Sequence, residues 1–154
     1  MLIYFLSFYY LWALLASPDR GTFNYWFEIF LVMIFSFIFH RKGLITAFTF
    51  GPLVAVADNL FIKIFGLSYL PADYLPPMWL VLMWIIFTGF LLNSNFWPRL
   101  RPVTLIFLFA FGGYFAGKTL NLLGGLVGEN LAALFVVWGL YGVLASVLRK
   151  LFHG

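Results

Sequence analysis

Six long apolar runs, separated by short segments that pair a helix breaker with polar side chains, constrain this chain more than any other feature. They cover residues 2–16, 23–39, 44–65, 77–96, 103–123 and 130–148. About 20 mostly apolar residues suffice for an α-helix to cross the hydrocarbon of a bilayer. The breaks are Ser17-Pro18-Asp19-Arg20-Gly21, His40-Arg41-Lys42-Gly43, the stretch from Pro71 to Pro77, Trp97-Pro98-Arg99-Leu100-Arg101-Pro102 and the segment from Gly124 to Gly128. Each ends a helix and supplies groups that stay wet. The pattern predicts an all-α, polytopic bundle of about six transmembrane helices, forming a single domain over residues 1–154.

Composition removes the soluble alternative. The chain is 64% hydrophobic and 9% charged, whereas a soluble domain is about 45–50% apolar and about 25% charged. Folded in water, it would expose large sticky patches built from its 21 Phe, 8 Tyr and 6 Trp. No Lys or Arg precedes the first run, and Leu14 is large where a signal-peptide cleavage site takes a small residue, so the first helix is expected to be retained.

The residues that are missing exclude several chemistries. With 0 Cys there is no disulfide framework, thiolate nucleophile or thiolate metal site. The only histidines, His40 and His153, lie at run ends, so no metal site is expected. None of the serines sits in a G-x-S-x-G elbow, and no glycine loop ends in Lys-Ser/Thr to cradle a phosphate, so no cofactor is expected. The net charge of +4 is spread singly or in pairs between apolar runs, which argues against a nucleic-acid partner.

Those basic residues instead predict orientation. Arg41, Lys42, Arg99, Arg101, Arg149 and Lys150 fall on one side of the alternating runs, and Arg20, Lys63 and Lys118 on the other. The richer side is expected to be cytoplasmic. Both termini then face the cytoplasm, and the Asp19, Asp73 and Glu129 segments face outward.

A charge inside hydrocarbon is costly unless paired or wetted, which makes each one a functional candidate. Glu28, Asp58, Lys63 and Lys118 all fall in the outer half of their runs, at the depth of Asn59, Asn121, Tyr114, Trp79 and Trp84. Tyr114, Lys118 and Asn121 follow i, i+4, i+7 spacing and share a helix face. One outward-facing polar pocket would gather these side chains. The competing reading is structural: Asp58 and Lys118 neutralise each other, Lys63 snorkels to the headgroups, and Glu28 sits near a helix start where the macrodipole favours it. Gly51-Pro52 should kink the third run. The pairs Gly113/Gly117 and Gly142/Ser146 are expected to let helices of the same chain approach closely.

Several of these residues carry a family resemblance. They are Asp58 with Gly66 after an apolar stretch, Pro77-Met78-Trp79-Leu80, Leu82-Met83-Trp84-Ile85-Ile86-Phe87, Leu91-Leu92-Asn93-Ser94, and Gly112-Gly113-Tyr114-Phe115-Ala116-Gly117. Over roughly residues 44–124 the chain resembles a bacterial inner-membrane family designated domain of unknown function 2878. The resemblance implies a small multi-span inner-membrane protein and no particular chemistry.

The functional expectation is a protein that binds or handles a lipid or small amphiphile, with Asp58 and Lys118 as polar contacts and Trp79, Trp84 and Tyr114 as apolar walls. A substrate-binding subunit of a transporter and a structural subunit of a membrane complex are the alternatives. Catalysis is disfavoured because Asp58 has no second catalytic partner in the sequence.

Overall fold

A computed structural model describes residues 23–71, 74–93 and 99–153, together with five separate positions nearer the N-terminus (2, 3, 6, 7 and 10). The remainder of the expected first span, with Asp19, Arg20, Asp73 and Trp97, lies outside the described residues. The fold is all-helical, as the runs predict. Its helices are α1 (Phe23–Phe39), α2 (Leu44–Phe61), α3 (Met78–Asn93), α4 (Pro102–Leu122) and α5 (Ala133–His153). A 3-10 turn, Ile62–Phe65, extends α2.

Two of these segments, Leu44–Phe65 and Pro102–Leu122, are long and apolar enough to cross a membrane. Of the other apolar helices, α1 coincides with its expected run, whereas α3 is shorter than the run 77–96. At 16 residues, α3 reaches about 24 Å, short of a hydrocarbon core of about 30 Å. The outward faces are as apolar as the interior: Trp26, Ile45, Phe50, Leu53, Phe107, Phe111, Val143 and Val147 are all exposed.

The helices form two groups. α2 packs along α3, with α1 on the other flank of α3, and α4 packs along α5. Glycine sets both long contacts. A Cβ at Gly51 would lie 2.7 Å from the Ile85 backbone, so α2 and α3 touch there backbone to backbone. Packing therefore accounts for the glycine of the Gly51-Pro52 pair. Gly113 and Gly117 receive Trp138 and Leu134 of α5, and Gly142 receives Ile106 of α4, so the Gly113/Gly117 pair and Gly142 serve contacts within the chain.

A short strap joins the groups at one end. β1 (Ser68–Tyr69) pairs antiparallel with β2 (Leu126–Val127), Ser68 opposite Val127 and Tyr69 opposite Leu126. Gly66, at φ 75°, turns the chain out of α2 and into the strap. At the opposite end the Asn93 side chain clasps the α1–α2 turn. Its amide donates to Lys42 O and Gly89 O, both at 2.7 Å, and its oxygen accepts from Lys42 N at 3.0 Å. Arg149 donates to Leu100 O at 2.6 Å. Arg41, Lys42, Arg101 and Arg149 are thereby gathered at the end away from the strap.

His40 caps this basic end from inside. It is fully buried, edge-on to Phe35 at 5.2 Å, with Gly89 of α3 against its ring. Burial pushes its pKa down to about 4. The imidazole is neutral in the fold and protonates more readily in the unfolded chain. Its contribution is therefore complete above about pH 6.5 and is lost as pH falls toward about 4, by on the order of 2 kcal/mol. Thermal unfolding in detergent micelles checks this: between those pH values the Tm of the native chain should fall more steeply than that of His40→Gln.

Candidate functional site

Asp58 is the centre of the candidate site. It lies on α2 one turn before the helix tightens into the 3-10 segment, and it is 1% exposed. Three neutral donors converge on its carboxylate. Oδ2 accepts from Tyr69 Oη at 2.9 Å and from Trp84 Nε1 at 3.0 Å, and Oδ1 accepts from Tyr141 Oη. These donors come from the strap, α3 and α5, so the carboxylate ties together both helix groups and the strap. Burial, reinforced by the neighbouring carboxylate, holds the Tyr69 phenol well above its usual range and keeps it a donor.

Both carboxylate oxygens are hydrogen-bonded. Among the described residues no lysine or arginine pairs with Asp58. Lys118 is exposed, its ammonium 5.8 Å from the Tyr114 ring, and Lys63 lies 5.5 Å from the Tyr74 ring. The expected alternative of an Asp58–Lys118 ion pair is therefore not formed.

Beside Asp58 opens a cavity of about 500 Å³ between α3 and α4, which pack little against each other. That volume is in the range of small-molecule sites. α3 contributes Leu80, Met83, Trp84, Phe87 and Phe90, and α4 contributes Leu105, Leu108, Gly112, Ala116 and Leu120; Leu134 and Trp138 of α5 form the back. From Leu105 to Leu120 the α4 wall runs about 22 Å along the helix axis. Asp58 and Tyr69 lie at its strap end, and among the described residues Asp58 is the only charged side chain in the lining.

Aromatic rings cover the region around the carboxylate. Trp84 and Trp138 stack at 5.4 Å and 7°, and Tyr141 sits edge-on to both at 5.7 and 5.3 Å. Phe87 adds edge contacts to Trp84 at 5.5 Å and to Trp138 at 5.9 Å.

Of the side chains expected to share a pocket, the structure brings two to this cavity, Asp58 and Trp84. Trp79 is buried just behind it, edge-on to Tyr69 at 5.5 Å and donating to Leu70 O at 2.8 Å. Asn59 donates to Tyr74 O at 3.1 Å, and Asn121 donates to Leu126 O at 3.0 Å, so both brace the connections at the strap end. Tyr114 stacks on Phe135 at 4.3 Å, outside the cavity. Glu28 is buried on α1 and lines no part of it. Among the described residues no group of His, Cys, Asp and Glu could hold a metal ion.

Sequence reasoning missed Tyr69, Trp138, Tyr141 and Phe87. One signal was available: Leu134, Trp138 and Tyr141 follow i, i+4, i+7 spacing, placing two polar-tipped aromatics on one face of an apolar helix. Comparison of the sequence with family profiles and curated proteins, and with solved structures, returned no match.

Proposed function

We propose that this chain is a multi-pass protein of a bacterial inner membrane that binds a long-chain amphiphile in the cleft between α3 and α4. The tail lies along the apolar wall and the polar head sits near Asp58. One observation carries the reading: a cleft about 500 Å³ in volume, apolar along its length, with a single charged side chain among the described residues of its lining, at one end. A fully polar ligand would leave its hydrogen-bonding groups unmet against Leu105, Leu108 and Leu120, and a plain hydrocarbon would make no use of the carboxylate.

The setting rests on the sequence and on the distribution of side chains. Two segments have the length and hydropathy to cross a membrane, and the exposed faces are apolar. Collection of Arg41, Lys42, Arg101 and Arg149 at one end supports a cytoplasmic placement of that end, with both termini inside and the strap and Asp58 toward the outside. The family resemblance adds the inner membrane and leaves the chemistry to the cleft.

A bulky side chain placed in the open cleft tests the reading. Gly112 faces open space, with no atom within 4 Å of an added Cβ. In neutral maltoside micelles, a stearoyl chain carrying a nitroxide should quench tryptophan emission saturably in the native protein, through Trp84 and Trp138. Gly112→Phe should weaken that quenching at least tenfold while leaving Tm nearly unchanged. Quenching that is non-saturable, or unchanged by Gly112→Phe, contradicts the site.

A further inference from the structure

We infer that the head of the bound amphiphile carries an ammonium group, recognised jointly by Asp58 and the aromatic rings around it. This rests on the cleft being an amphiphile site, as proposed above, and narrows which amphiphiles it accepts.

Among the described residues Asp58 is the one acidic or basic side chain in the cavity lining, and no cation of the described chain pairs with it. A buried charge without a counter-ion is expensive, and a cationic ligand supplies that counter-ion when it binds. An anionic head in the same place would meet like charge in a low-dielectric site.

The coordination of Asp58 selects among cations. A carboxylate offers about four lone-pair positions, and three are taken by Tyr69, Trp84 and Tyr141. One position remains, enough for a single ammonium N–H. A hard divalent metal ion, which needs several open oxygen ligands, finds too few here. A guanidinium, which recognises carboxylates through a two-pronged fork, finds only one prong's worth of acceptor.

Trp84, Trp138 and Phe87 line the cavity next to the carboxylate. Tryptophan is the best aromatic platform for an ammonium, and desolvated contacts of this kind are the strongest. The alkyl groups next to the nitrogen pack on those rings, and the tail continues toward Leu108 and Leu105.

Three probes that share a hexadecyl tail test the inference: hexadecylamine, hexadecanol and hexadecyl phosphate. Each is titrated into the protein in neutral maltoside micelles, and one-to-one complexes are counted by native mass spectrometry. The amine should bind at least tenfold tighter than the alcohol, and the phosphate weakest of the three. Asp58→Asn should bring the amine to the level of the alcohol without changing the alcohol. The ranking on the native chain decides the question even where the variant fails to fold.

If alcohol or phosphate binds as tightly as the amine, the ammonium inference falls while the amphiphile site stands. If none of the three binds saturably, the amphiphile site itself falls. Competition by phosphatidylethanolamine separates two sources of the same chemistry: displacement of the amine points to a lipid headgroup, and its absence to a free alkylammonium.

Discussion

Asp58→Ala is expected to lower the stability of the protein by about 3 kcal/mol or more. The substitution removes the acceptor of three hydroxyl and indole donors at once, and each buried donor left unmet costs about 1–3 kcal/mol. Tyr69 and Trp84 are themselves buried, so water reaches their polar atoms poorly. The damage spreads because those donors sit on the strap, α3 and α5, which Asp58 holds together with α2. Thermal unfolding in micelles should show Tm falling by roughly 10 °C. Adding Tyr141→Phe to Asp58→Ala should recover part of the loss, since it removes one of the stranded donors. A double variant less stable than the sum of the two singles contradicts the hydrogen-bonded role.

Gly113→Ala should be nearly as damaging, and its neighbour should behave in the opposite way. An added Cβ at Gly113 would overlap Cβ and Cγ of Trp138, atoms too close to the α5 backbone for a change of rotamer to move them away. α4 and α5 must part to admit the methyl group, at about 2–3 kcal/mol. At Gly112 the same methyl meets nothing, and the gain in helix propensity makes Gly112→Ala neutral or stabilising by up to about 1 kcal/mol. Unfolding midpoints of the two variants check the contrast. Equal effects at the two glycines would mean that α4 is rotated away from the position described.

The pattern of apolar runs made the helices legible. α1 matches the second run, and α2 with its 3-10 turn matches the third, because a breaker with exposed charges, Arg41-Lys42-Gly43, separates them and Gly66 ends the third. α5 begins three residues later than expected. Its start is delayed by the turn at Asn130–Ala132, where Ala133 N bonds back to Asn130 O. The strap was not legible, since two-residue strands carry no periodicity to detect.

The site was half legible. Asp58 and Trp84 stood out because charge and indole are conspicuous in lipid, and the structure joins them by a hydrogen bond. The stripe Tyr114, Lys118, Asn121 shares a helix face, and none of the three lines the cavity beside Asp58. It lies one residue, or about 100°, around α4 from Gly113 and Gly117, and those glycines turn toward α5. Helix spacing says which residues share a face and nothing of where the face points. Tyr141 is 83 residues from Asp58 in the chain, and only the packing of α5 against the other helices brings the two together.

An amphiphile lying in the cleft between α3 and α4 would contact both helices along its tail. Photo-crosslinking tests this most directly: hexadecylamine with a diazirine along its tail is activated in micelles holding the native protein, and the modified peptides are sequenced by mass spectrometry. Label confined to residues 80–91 of α3 and 105–120 of α4, and displaced by excess hexadecylamine, is the predicted result. Label spread over the exposed faces of α2 and α5, at Leu53, Val136, Val143 and Val147, and unaffected by the competitor, would contradict it.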